Sequence, residues 1–213
     1  METAQTAAGA RTLEIITPGG PALAELDDAA APAFLAVLTH GAGGGVATKD
    51  LLAVRASALA LGGAVARVLQ PYQLRGARAP GSAGRQDTAW LEIISALRGE
   101  YPGLPLIQGG RSNGARLACR TAQPAGARGV IALAFPLHPP GRPERSRLAE
   151  LDAAGTDVLV INGSRDPFGI PGPAGARRVV TLPGETHALA GSADVMTGAV
   201  TSWLRELLQL AEG

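Results

Sequence analysis

The chain has 213 residues, 46% of them apolar and 17% charged, with a formal net charge of +1. That is one ordinary α/β or α+β domain with enough apolar material for a core, and too few charges for a disordered tail protein. The near-zero charge and an aromatic content of 3% exclude a dedicated nucleic-acid binder, which needs a basic stripe for phosphates or rings on which bases stack.

Residues 1–10 are small and polar and are expected to fray, leaving residues 11–213 as a single domain. Thr12–Ile16 alternates as a strand should, and Pro18-Gly19-Gly20-Pro21 turns the chain into a second strand, Ala22–Leu26. Ala33–Thr39 is a continuous apolar run of the kind buried on both faces of a parallel sheet, and it ends in His40-Gly41-Ala42-Gly43. Asp50–Leu61 predicts a helix stopped by Gly62-Gly63, and Ala64–Leu69 a strand. Asp87 is placed to cap a helix whose Trp90, Ile93, Ile94 and Leu97 share one face, with Gly99 as its stop. A short strand, Pro105–Gln108, leads to a helix from Asn113 to Ala122 ended by Pro124. Gly129–Phe135, Asp157–Ile161 and Arg178–Leu182 are further strands, and Ser192 caps a closing helix through Trp203 to Leu208. Alternation of strand and helix predicts right-handed crossovers and a doubly wound, mostly parallel sheet with helices on both faces. In such a sheet the working residues lie beyond the carboxyl ends of the strands.

Cys119 stands alone, so an internal disulfide and a cysteine-rich zinc site are excluded. No apolar run is long enough to span a bilayer, and Met1–Gln5 has neither a basic nor an apolar leader segment. The expectation is a cytoplasmic protein that binds no membrane.

Gly110-Arg111-Ser112-Asn113-Gly114 matches G-x-S-x-G, which is weak evidence in a chain with 29 glycines. Its context is stronger, because a strand precedes Ser112 and a helix follows it, the setting that lifts a serine hydroxyl above a sheet edge. A serine nucleophile needs a base, and the base needs a carboxylate. Of the three histidines, His187 follows the last strand, and Asp166 in Ser164-Arg165-Asp166-Pro167 follows the strand before it. Glu185 is the alternative acid, but two residues from the histidine it is poorly placed to reach Nδ1. The chain order Ser112, Asp166, His187 is that of the α/β-hydrolases. The Asn113 amide at a helix N-terminus and an amide of Gly41 or Ala42 are the candidate oxyanion donors. His40, His138 and Arg111 are placed at the pocket wall, with His40 also holding its loop by hydrogen bonds. No H-x-H, H-E-x-x-H or C-x-x-C spacing supports a metal, and Gly41–Gly45 lacks the Gly-Lys-Ser/Thr ending of a phosphate loop, so no cofactor is expected.

The segments Thr39-His40-Gly41-Ala42-Gly43, Gly109–Arg116, Pro136-Leu137-His138-Pro139-Pro140-Gly141 and Asp166-Pro167-Phe168-Gly169 resemble the small hydrolase-like family of testis-expressed protein thirty. The hydrolase-like domain of the NSL acetyltransferase complex shares that family, with the dienelactone hydrolases as more distant relatives. The resemblance implies an α/β-hydrolase fold with no lid domain and with Ser112, Asp166 and His187 in the triad positions. Such families usually have an apolar residue where Asn113 stands and a glycine where Ala115 stands. With about ten residues between the strand at Phe135 and the next helix, the expectation is an open serine hydrolase for small acyl substrates. The alternative is a hydrolase-fold protein, weakly active or inactive, that binds a ligand, a protein partner or a second copy of itself.

Overall fold

Eight strands lie side by side in the order β1-β2-β4-β3-β5-β6-β7-β8, in a computed structural model that describes residues 11–210. The fraying expected of residues 1–10 falls outside the described residues. The strands are β1 (Arg11–Thr17), β2 (Gly20–Asp27), β3 (Leu35–Thr39), β4 (Ala64–Leu69), β5 (Leu106–Arg111), β6 (Gly129–Leu133), β7 (Asp157–Gly163) and β8 (Arg177–Leu182). β1 pairs antiparallel with β2, and β2 antiparallel with β4. Every pairing from β4 through β8 is parallel. The interior strands β3 and β6 are buried at all five positions, as a sheet covered on both faces requires.

Helices α1 (Lys49–Ala60) and α6 (Ala193–Leu208) cover one face, where Leu51, Val54, Trp203 and Leu204 pack on Leu38, Ile107 and Ile131. The other face carries α3 (Ala83–Glu100), where Trp90, Ile93 and Leu97 meet Leu35, Val37 and Val68. It also carries α4 (Asn113–Ala125), whose Ala118, Cys119 and Ala122 meet Val130, Phe135 and Leu151. Burial pushes the Cys119 thiol up to about 12. Two short helices, α2 (Pro71–Leu74) and α5 (Leu148–Asp152), lie in the connections after β4 and β6. The connection from β6 to β7 contains only the five-residue α5, so among the described residues no lid domain stands over the sheet.

Two helix ends differ from expectation. α3 starts at Ala83 instead of at Asp87, whose carboxylate is inside the helix and pairs with Arg120 at 2.6 Å. Gly84 costs only about 1 kcal/mol relative to alanine, and packing carries the helix back past it to the Pro80-Gly81 turn. α4 continues through Pro124 to Ala125 and stops at Gly126, which has φ +64°. A proline in the last turn removes a single bond, and the left-handed glycine is the stronger stop.

The chain runs from β3 over α1 to β4 on one side, then back over α3 to β5 on the other. The loops after β3 and β5 therefore part in opposite directions, which opens a crevice at the carboxyl edge between them.

Candidate active site

Ser112 occupies the one-residue turn between β5 and α4 with φ +51° and ψ −112°. A side-chain-bearing residue held there stores about 1–3 kcal/mol of strain. Its surroundings enforce the turn: the Ser112 N–H donates to Leu133 O at 2.8 Å, and its carbonyl accepts from Arg116 N–H at 3.2 Å. The flanking glycines are obligatory for space. A Cβ on Gly110 would stand 2.7 Å from Thr39 O, and one on Gly114 would stand 2.6 Å from His40 O. β5 and the start of α4 thus press directly on the backbone of the β3 loop.

The loops after β7 and β8 bring the other two groups. His187 Nε2 accepts from the Ser112 hydroxyl at 2.9 Å, and His187 Nδ1–H donates to Asp166 Oδ2 at 2.8 Å. The Asp166 side chain has 0% exposure and that of His187 21%, so the carboxylate is sheltered while the imidazole edge can meet a ligand. Asp166 Oδ1 accepts from the Phe168 N–H at 2.9 Å, an Asx turn in which the carboxylate folds back on its own loop. Asn162, at the end of β7, ties this corner together. Its amide exchanges two 3.0 Å bonds with the main chain of Phe135 and reaches Asp166 Oδ2 at 3.4 Å. The Phe168 ring lies 4.3 Å from that of His187, centroid to centroid. Glu185, the alternative acid, does not approach the imidazole. It accepts from Ala190 N–H at 3.1 Å, Gly191 N–H at 2.9 Å and the Ser192 hydroxyl at 2.9 Å, closing the loop that carries His187.

The β3 loop passes beside the serine: a Cβ on Gly41 would be 3.2 Å from Ser112 Cβ. Placed among the wall residues by its sequence, His40 has 0% exposure and does not line the cleft. Its Nε2 accepts from Gln70 N–H at 3.0 Å, which leaves the proton on Nδ1, and that N–H donates to Gly41 O at 2.8 Å. The Tyr72 hydroxyl donates to the same carbonyl at 3.4 Å. Burial holds the His40 pKa below the ordinary imidazole value, against the opposing Gly41 bond. His138 stands apart from the triad, half-buried against Gly169, with Nδ1 2.9 Å from Pro139 O. Arg111 turns its guanidinium inward to Asp50 and to the main chain of His187. Asn113 begins α4, and its side-chain Nδ2 is buried with no hydrogen-bond partner.

Asn162, Glu185, Phe168, Tyr72 and Asp50 all shape this corner, and none was singled out as a support from the sequence. A cavity of about 620 Å³ opens between the β1–β2 turn and α2–α3, lined by Tyr72, Gln70, Arg75 and Arg85 among others, but by none of the triad residues. Among the described residues no group of three or more His, Cys, Asp or Glu side chains could hold a metal ion, and no helix is long and apolar enough to cross a membrane.

This sheet order, with a serine on a strained turn after β5 and an acid and a histidine after β7 and β8, is the architecture of an alpha/beta hydrolase. The sequence agrees: residues 32–179 match the model of the alpha/beta hydrolase domain, and the chain belongs to that family. Among solved structures it is similar to an α/β serine hydrolase without a lid from Xanthomonas campestris, with TM-score 0.77, 20% identity and 96% of each chain covered. Est1E from Butyrivibrio proteoclasticus follows at TM-score 0.75 and 18% identity, covering 94% of this chain and 100% of that one. A dienelactone hydrolase from Anabaena variabilis has TM-score 0.75 and 15% identity, covering 94% and 98%. At these identities the likeness is one of fold. No curated protein matches the chain.

Proposed function

We propose that the chain is a serine hydrolase that cleaves a small ester or related acyl bond. The observation that carries this reading is the unbroken row Ser112–His187–Asp166, with bonds of 2.9 and 2.8 Å, at the carboxyl edge of the sheet. His187 Nε2 takes the hydroxyl proton as Ser112 Oγ attacks the acyl carbon, then returns it to the leaving alcohol. Asp166 keeps the other imidazole proton on Nδ1, so that Nε2 is the free base. Water, activated by the same imidazole, then releases the acid and restores the serine.

The oxyanion falls to the Asn113 N–H at the start of α4 and to the β3 loop. Within that loop, the orientation of the Gly41 carbonyl favours Ala42 as donor. A trans peptide points its C=O and the next N–H in opposite directions. With Gly41 O turned inward to His40 and Tyr72, the Ala42 N–H faces out of the interior. The short β6–β7 connection supports an open site for small acyl groups.

Treatment with a fluorophosphonate probe, read by intact mass beside Ser112→Ala, tests the proposal. One adduct on the native chain and none on the variant is the expected result. Well-folded native protein that takes no adduct, and that hydrolyses no short-chain p-nitrophenyl ester, would overturn it and leave the hydrolase fold serving as a binding module.

A further inference from the structure

Arg111 contributes the backbone immediately before Ser112, yet its side chain reaches the opposite partner of the reaction. Nη2 donates to the carbonyl of His187 at 2.7 Å, and Nε donates to Asp50 Oδ2 at 2.7 Å. Asp50 lies in the first turn of α1 and its side chain is 1% exposed, while that of Arg111 is 16% exposed. The other carboxylate oxygen of Asp50 accepts from Leu51 N–H at 2.9 Å. The third nitrogen, Nη1, stands 3.5 Å from where a Gly41 Cβ would be. A single planar guanidinium therefore bonds the base loop and the start of α1 at once, and lies beside the oxyanion loop where a side chain on Gly41 would meet it.

A fully buried carboxylate is costly to desolvate and is tolerated where it is paired and hydrogen-bonded. Asp50 meets that condition with Oδ2 on Arg111 Nε–H and Oδ1 on Leu51 N–H, so the carboxylate is fixed and its bond to Nε orients the guanidinium plane. That orientation aims Nη2 at the His187 carbonyl. We infer that Arg111, locked by Asp50, is a positioning residue that sets the distance between the nucleophile and its base. The loop from Gly184 to Ser192 has no strand or helix of its own, and Arg111 connects it to the rigid strand that carries Ser112. A lysine could replace the charge but not the fork, since two directed bonds at fixed geometry need the planar group.

The inference rests on the hydrolase reading for its kinetic readout, so the test adds a second readout that does not. Turnover of p-nitrophenyl acetate and the rate of fluorophosphonate labelling are measured for the full chain, Arg111→Ala, Arg111→Lys and the pair Arg111→Met with Asp50→Asn. The pair removes both charges, so no lone carboxylate is left in the interior to unfold the protein. The expected result is a fall in kcat of about 10- to 100-fold, the scale of an ångström-level misplacement, with KM changed less than about threefold. Lysine should restore little. Methylguanidine should recover part of the rate in Arg111→Ala and none in Ser112→Ala. The far-downfield Nδ1 proton of His187, followed by nuclear magnetic resonance, should broaden or vanish in the folded pair variant.

A pair variant with kcat within twofold of the native chain and an unchanged imidazole proton would overturn the inference. So would a loss of rate that methylguanidine leaves untouched and that matches the unfolded fraction. If the native chain itself neither labels nor turns over, the hydrolase reading fails, and the imidazole resonance still decides the role of Arg111.

Discussion

Ser112 and His187 are 2.9 Å apart, but two different kinds of force hold them there. The loop after β5 is a single residue, fixed by backbone pressed on backbone: Gly110 against Thr39 O and Gly114 against His40 O, with no room for a methyl group. The loop after β8 runs ten residues to α6. Its first part is pressed on β7, where a Cβ on Gly163 would collide with Glu185 O, but from His187 onward it is held by side chains, with Glu185 across its turn, Arg111 on its carbonyl and Asp166 on its imidazole. Steric exclusion is short-ranged and tolerates no change, whereas hydrogen bonds can be weakened one at a time. Ser112 is therefore set by backbone alone, and the imidazole of His187, just past the part of its loop packed on Gly163, is the more adjustable of the two.

Removing the reacting groups sets the scale. Ser112→Ala or His187→Ala should lower turnover by about three to six decades with little change in melting temperature; a folded variant that kept native kcat would remove that residue from the reaction. Gly114→Ala tests the steric half of the comparison. Its Cβ would lie 2.6 Å from His40 O, and backbone must move, so about 3 kcal/mol of stability and most of the labelling at Ser112 should be lost. A well-tolerated alanine would show that the elbow yields as easily as the base loop.

Glu185→Ala tests the side-chain half. It frees three donors and should cost about 1–2 kcal/mol and about 3- to 10-fold in kcat, with KM nearly constant. Faster hydrogen exchange at Ala190 and Gly191, with the strands of the sheet unchanged, would locate the effect.

Acid acts through His40. Its folded-state pKa is depressed by burial, so the folded chain holds fewer protons there than the unfolded chain. Stability from this group is complete above the unfolded value of about 6.5 and declines as pH falls below it. Denaturation midpoints between pH 7.5 and 5 should drop for the native chain and drop less for His40→Gln; parallel curves would assign the acid sensitivity elsewhere. The smallest effect belongs to Asn113. Its buried Nδ2 has no partner, so Asn113→Leu should raise stability by about 1 kcal/mol. The rate should change little, because the main-chain N–H remains.

The three residues that meet in one hydrogen-bonded row, Ser112, His187 and Asp166, could be picked out of the chain because each follows a strand, with their order as modest further support. The supports were hidden for a physical reason. Arg111 meets Asp50 across 61 positions and Asn162 meets Phe135 across 27, and no local pattern marks such pairs. Asp50 in a first helical turn looks like an ordinary partner of the helix dipole, and Glu185 looks like a spare acid. Ser192 stands at the start of α6 as expected, but it does not cap the helix, because its hydroxyl donates to Glu185 instead. Helix starts at Ala83 instead of Asp87 and the passage through Pro124 show the same limit, since local breakers yield to packing.

Cys119 lies on the buried face of α4, seven residues past the nucleophile on the same helix, and it is the only cysteine in the chain. With its thiol pushed up to about 12, it reacts with an alkylating reagent only when that helix lifts away from β6. The protein thus contains its own clock for the opening of the elbow: anything that binds covalently or tightly at Ser112 and braces α4 will be recorded, with no added label, as slower modification of a sulfur that the ligand never touches.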